Sequence, residues 1–359
     1  DTGCAASERN CFQRGPDRPV WAPLACTSVT GMRVAVTGSI ATDHLMTFGG
    51  KFADSLLVEQ LDKISLSFLV EDLQIRRGGC AANIAFGMAN LGQRPVLVGA
   101  VGEDFADYRS WLDRHGVDCE SIYTSQSAHT ARFVCTTDQD MAQIATFYAG
   151  AMSEAREIEL QPIADRIGRL DMVLVGPNDP VAMQRHTDEC RTRAIPFAAD
   201  PSQQLARVEG DAIRDLIDGA AYLFTNEYES HMITQKAGWS AADIENAVGV
   251  QVTTRGKDGA TILQKGHDPI HVSVVPGVQP LDPTGVGDAF RSGFLTGLAA
   301  GLSHRRCAEL GSTLAAYVIE TVGTQEYVLT QSGLLGRLAM AYGENSAADI
   351  GDHVRCPKP

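Results

Sequence analysis

Nine residues constrain this chain more than any other stretch: Asp282-Pro283-Thr284-Gly285-Val286-Gly287-Asp288-Ala289-Phe290. Pro283 fixes one backbone dihedral just ahead of a small-residue turn. Gly285 and Gly287 let the backbone bend and let another group come close to it. Beyond Gly287, Ala289, Phe290, Gly293, Phe294, Gly297 and Leu298 recur at three- and four-residue spacing, which predicts a helix. A glycine turn that opens a helix presents free N–H groups at the positive end of a dipole, a place for phosphate. Asp288 falls on the first turn, where a carboxylate can take a proton from an attacking hydroxyl. The same string also describes an ordinary helix start with a capping acid. Locally the two readings are even, and the rest of the chain has to decide.

A chain of 359 residues has room for one large α/β domain or two ordinary ones. Its net charge of −14 argues against a general nucleic-acid or anionic-membrane surface, though not against one small phosphorylated ligand. No apolar run reaches the length of a membrane span. The nine cysteines are odd in number, contain no C-x-x-C pair and lie mostly in apolar segments. They read as reduced thiols of a cytoplasmic protein rather than a disulfide framework or a zinc site.

Residues 1–31 carry three cysteines and three prolines without strand or helix period, and are expected to be disordered or not native, with Met32 the start of the protein. Arg33 to Ser39 is a short apolar strand, followed by Asp43. Alternating pieces in about 44–77 and 117–149 suggest strands set apart from a main sheet, with a hairpin turn at Asp138-Gln139-Asp140. Between them, Gly78-Gly79-Cys80-Ala81-Ala82-Asn83 opens a small-residue helix ending near Gly92, and Pro95 to Val101 reads as one buried strand. Strands at 172–176, 196–200, 221–225 and 251–254 alternate with helices near 180–193, 211–217 and 241–248, the rhythm of a parallel sheet. Two more strands (260–264, 270–274) and helices from Gly287, His304 and Gly333 complete one α/β domain over 32–350. The tail 351–359 is expected to be disordered.

Three features stand in a fixed order: a strand followed by Asp43, Gly78-Gly79 with Asn83 four residues after the second glycine, and D-P-T-G-V-G-D. Together they resemble the ribokinase-like (PfkB) family of carbohydrate and nucleoside kinases, with Pro283 inserted before the family's Thr. Within it, the strings VTGSIATDHLM, SLSFLVEDL, HTARFVCTTDQDMAQIATFY, AADPSQQLAR and DPTGVGDAFRSGFLTG are similar to the actinobacterial adenosine kinases. The resemblance implies a three-layer α/β sandwich with a mainly parallel central sheet and a small β-rich lid. It implies transfer of the ATP γ-phosphate to the 5′-hydroxyl of adenosine, with Mg2+; it leaves monovalent-cation activation open.

The resemblance also assigns residues. Asp288 would be the base, and the N–H groups of Gly285, Val286, Gly287 and Asp288 the anion hole. Asp43 would hold the ribose diol, since a carboxylate accepts two hydrogen bonds from vicinal hydroxyls. Gly79 and Asn83 would join it, and Phe133 and Phe147 would sandwich the purine. Ser39, Ser67, Gln203 and Gln204 would add polar contacts, and Arg207 would pair with phosphate. Asn226 and Glu229, an N-x-x-E pattern after a strand, would order Mg2+ through water. Thr254, Arg255, Gly256, Lys257, Asp258 and Gly259 would line the ATP site. Each has a plainer reading: core aromatics, a solvated helix start, a glycine-rich turn. Two other functions remain open, another sugar or nucleoside kinase of the family and a catalytically silent nucleoside-binding protein; the second requires loss of Asp288 or the glycines, which are present. The lid strands would expose edges and apolar faces, and by resemblance a second lid would cover them in a homodimer.

Overall fold

The computed structural model describes residues 31–55 and 67–357. The expectations for the leader and for a strand across 64–66 lie outside the described residues. Short β-branched runs bounded by turns form most of the strands: β1 Val34–Thr37, β2 Ala41–Phe48, β3 Val70–Gly78, β4 Val96–Val98, β5 Ala100–Val101, β6 Tyr123–Thr124 and β7 Ala131–Thr137. Then come β8 Gln143–Tyr148, β9 Met172–Val175, β10 Phe197–Ala199, β11 Tyr222–Asn226, β12 Val250–Thr254, β13 Ala260–Gln264 and β14 Ile270–Val272.

Eight of these make one sheet in the order β14-β13-β12-β11-β10-β9-β1-β4, parallel from β4 to β12 and antiparallel at the β13 and β14 edge. Val36 pairs with Leu97 on one side and Leu174 on the other. Successive strand residues point to opposite faces, so each face carries its own core. Val36, Leu97 and Leu174 pack with Phe290 and Phe294, under helices Cys80–Asn90, Val286–Ala299 and His304–Ile319. Ala35, Val98 and Val173 pack with Met183, Ile213 and Ile233 from helices on the other face. This is the three-layer sandwich expected from sequence. A second sheet, β3-β2-β7-β8, forms the lid.

Three details depart from expectation. The strand over 95–101 breaks at Gly99, where a Cβ would lie 2.8 Å from the Gly38 carbonyl, and β5 leaves to pair with β6. Helices Leu160–Ile167 and Glu344–His353 were not anticipated, and Glu227–Ala237 answers to the helix start that was the plainer reading of Asn226. The tail is not disordered through 357: Gly351 to His353 complete the last helix, Val354 is buried, and the Cys356 amide donates to Gln331 Oε1 at 2.7 Å. One buried valine and two hydrogen bonds with the Gln331 side chain, one from the Cys356 amide and one to the Val354 carbonyl, hold a segment whose polar composition suggested nothing to hold it.

The Val286–Ala299 helix carries the signature string and is buried from Ala289 to Ala299. It meets His304–Ile319 at backbone distance, since a Cβ on Gly293 would fall 2.6 Å from Gly311 Cα. Gly293→Ala is therefore expected to cost about 3 kcal/mol by overpacking, read as a lower urea midpoint at unchanged slope.

Candidate active site

The strand ends of the parallel sheet and the lid enclose a cavity of about 780 Å³. Its floor is the start of the Val286–Ala299 helix. Gly285 takes the left-handed conformation, φ 75°, and a Cβ there would come within 2.7 Å of Thr324. Asp282 shapes the turn from both sides: Oδ1 accepts from the Thr284 amide at 2.9 Å and Oδ2 from the Gly323 amide at 3.0 Å. The first-turn amides of Gly287 and Asp288 have no helical carbonyl behind them and face the cavity with the dipole's positive end.

Asp288 lines this floor, and Asn83 Nδ2 donates to its Oδ2 at 2.9 Å. Burial pushes its pKa up to about 6, against the opposing pull of Asn83 and Arg291. Arg291, one turn further along, is buried with Asp200 in an ion pair at 2.5 Å, and also donates to the Gly287 carbonyl at 3.1 Å. The guanidinium is thus anchored by one carboxylate while it stands beside another. Neither Arg291 nor Asp200 was singled out from sequence; the three-residue spacing of Asp288 and Arg291 on a helix was the available signal.

The lid supplies the roof. Register places Arg76, Asp43, Phe133 and Phe147 in one row across β3, β2, β7 and β8, and all four line the cavity. Burial raises the Asp43 pKa to about 6, with Arg76 opposing. Arg76, unremarked in the sequence, has a buried guanidinium nitrogen without a hydrogen-bond partner.

Other expected residues are placed with mixed outcomes. Ser39 and Gly79 line the cavity, but the Ser39 hydroxyl already accepts from the Cys80 amide at 3.0 Å. Gly79 is required by strand packing as well, since its Cβ would meet the Ala41 amide nitrogen at 2.6 Å. Asn83 has its carbonyl engaged by Thr324 and Gln325, so it holds Asp288 rather than offering both ends to a ligand. Gln203 and Arg207 are exposed on the lining; Gln204 is buried and donates to the Asn178 carbonyl at 2.8 Å. Ser67 is exposed and lies outside the lining. Asn226 and Glu229 form a reciprocal capping box that starts the Glu227–Ala237 helix, and both still face the cavity.

A second cavity of about 490 Å³ adjoins the first and shares Thr254, Gly256 and Gly287 with it. Its walls are apolar, including Val275, Pro276, Val278 and Ile319, and Lys257, Gly259 and Val286 also line it. Arg255 and Asp258 line neither cavity; Arg255 pairs with Glu227 at 2.9 Å, on the outer side of the turn. The apolar wall was missed because residues 275–280 show neither strand nor helix period.

A profile of the pfkB family carbohydrate kinases matches residues 43–331. A nucleoside kinase of Methanothermobacter thermautotrophicus is 29% identical over 289 residues, 80% of this chain and 92% of that protein. The structure of Burkholderia thailandensis nucleoside kinase in complex with inosine superposes with a TM-score of 0.75 at 33% identity, covering 86% of this chain and 98% of the other. Arabidopsis thaliana ribokinase, complexed with ribose and ATP, gives 0.72 at 21% identity, covering 86% and 99%, and speaks for the fold alone. The architecture is therefore that of the ribokinase-type kinases. The chain belongs to the pfkB family.

The raised pKa of Asp288 has two consequences. Its base form is available only above about pH 6, so turnover should rise through that pH. The folded state also disfavours the ionised carboxylate, so stability present below about pH 4 is lost as the pH rises through 6. Asp288→Asn is expected to lower turnover roughly a hundredfold or more while raising, not lowering, the melting temperature at pH 8.

Proposed function

We propose that this protein is a nucleoside kinase that transfers the ATP γ-phosphate to the 5′-hydroxyl of a purine nucleoside, with adenosine the first choice. The observation that carries this is the pair of cavities meeting at Gly287, one under the lid that carries charged side chains and aromatic rings and one apolar, with Asp288 beside their junction. The apolar cavity suits the adenine of ATP. The lid cavity offers a carboxylate for a diol at Asp43 and aromatic faces at Phe133 and Phe147 for a base.

The chemistry follows from placement. Asp288 accepts the proton of the 5′-hydroxyl as that oxygen forms a bond to the γ-phosphorus, and the bond to the β-phosphate oxygen breaks, leaving ADP. The amides of Gly287 and Asp288 stabilise charge on the transferring group. Among the described residues no three His, Cys, Asp or Glu side chains could hold a metal together. Asn226 and Glu229 suit a hydrated Mg2+ bound chiefly to phosphate, which they would reach through its waters. When bound, that ion neutralises phosphate charge. Arg207, exposed on the lining, suits the nucleotide phosphates.

Aromatic lining favours a nucleoside over a bare sugar, and the nucleoside kinase relatives favour it over a silent binding protein. The relative crystallised with inosine keeps a broader purine range as the second reading. Four of the six described cysteines are buried and all six are free, which suits the cytoplasm. Leu73, Ile75 and Ile144 are exposed on the lid's outer face, an apolar surface we assign to a homodimer contact. Light scattering at micromolar concentration should give a dimer; a monomer overturns that assignment.

The decisive assay is mass-detected 5′-phosphorylation of adenosine, guanosine, inosine, ribose and fructose with Mg-ATP. Purine nucleosides should turn over well ahead of both sugars. Phe133→Ala should raise the KM of adenosine by about 5- to 100-fold, the scale of one lost stacking contact, and leave that of ribose nearly unchanged. An equal effect on both removes the stacking role.

A further inference from the structure

The base is held by Asn83, and Asn83 is itself held. Its side-chain oxygen accepts from Gln325 Nε2 at 2.9 Å and lies 2.9 Å from the Thr324 hydroxyl, whose single proton is shared between it and the Arg77 carbonyl at 3.0 Å. Gln325 Oε1 accepts from the Trp111 indole N–H at 3.1 Å. The second proton on Gln325 Nε2 goes to the Tyr108 hydroxyl at 2.6 Å, which donates onward to the Gly78 carbonyl at 3.0 Å. Asn83, Tyr108, Thr324 and Gln325 are all at least 93% buried. Four separate segments contribute, so the chain of bonds is a product of the tertiary fold.

Each amide in this series has an oxygen end and a nitrogen end of nearly equal shape. Only hydrogen bonding decides which way it points. An indole N–H donates and cannot accept. Trp111 therefore forces the oxygen of Gln325 toward itself and the nitrogen toward Asn83. That nitrogen forces the oxygen of Asn83 inward, which leaves its nitrogen to donate to Asp288. Without this polarity, a reversed Asn83 would set a lone pair against the carboxylate.

We propose that Trp111 and Gln325 are positioning residues that fix the orientation of Asn83 and so keep Asp288 in its base form. The proposal rests on the kinase reading above for its consequence in turnover, but not for its geometry. Other groups act on Asp288 as well: Arg291 on its own helix, Cys80 on the helix of Asn83, Asp200 after β10, and Glu229 behind Arg291 at 3.9 Å. None of them touches the amide series through any bond described above, so neutral changes at Trp111 reach Asp288 through Asn83. A carboxylate at 325 also acts on Asp288 directly through space, which makes Trp111→Phe the deciding variant.

Gln325→Glu puts an acceptor where Asn83 needs a donor, and should turn the Asn83 amide around. Trp111→Phe removes the donor that sets the direction while keeping an aromatic ring. The acid limb of the kcat profile should move to higher pH by at least about one unit in Gln325→Glu, the scale of one reversed charged hydrogen bond, and by less in Trp111→Phe. The KM for ATP should change little. In parallel, the carboxyl 13C resonance of Asp288, assigned by its loss in Asp288→Asn, should titrate at correspondingly higher pH in each variant. If folded variants lose turnover with the acid limb and the resonance unmoved, the residues are merely structural and the proposal is wrong. If Gln325→Glu fails to fold, Trp111→Phe and Thr324→Val carry the same two measurements. If the wild-type protein phosphorylates no nucleoside, the kinase reading fails, while the resonance still decides the orientation role.

Discussion

Everything at this site depends on a carboxylate held at the start of a buried helix without being neutralised there. Burial drives Asp288 toward the protonated form, and the opposing groups are few: an amide donor from Asn83, a guanidinium whose charge is already shared with Asp200, and the Cys80 thiol. A fully paired aspartate would ionise readily but hold its charge too tightly to accept a proton, and an unpaired one would stay protonated. The balance leaves a group that changes charge at about pH 6, a property that suits the base role proposed for it.

The surrounding architecture can be understood as support for that balance. Glycine at 293 and 311 lets two helices touch at backbone distance, which holds the Val286–Ala299 helix firmly. The left-handed turn at Gly285 directs its first amides into the cavity, and Asp282 ties that turn to the loop at Gly323. The same loop carries Thr324 and Gln325, which reach Asn83. One short segment therefore braces both the Gly285 turn and Asn83, the amide donor to Asp288.

The lid uses a different principle. Strand pairing alone brings Arg76, Asp43, Phe133 and Phe147 into register from three distant parts of the chain. Period-two alternation then gives the sheet a cavity face with charge and aromatic rings, and an outer face with Leu73, Ile75 and Ile144.

The amino-acid sequence by itself determined a parallel α/β domain with a separate β-rich part, because strands alternating with helical segments bury both faces of a sheet; the three-layer sandwich was what the family resemblance implied. It also determined a glycine turn opening a helix at Asp288, since its glycines, its aspartate and the helix period that follows are all local, but that string alone left an anion site and a plain capped helix start even. What the tertiary structure decided were the relations that local pattern cannot carry. Asn226 and Glu229 cap a helix while facing the cavity, and Asn83, also on the lining, donates to Asp288. Arg291 acquires its partner from 91 residues away, and Trp111 reaches the site through Gln325, 214 residues distant. Ser67 and Arg255 matched a motif order yet lie outside both cavities, because position along the chain does not determine which way a side chain faces. Hydrogen bonds between distant segments depend on direction and on distances of about 3 Å, and only the folded chain sets those.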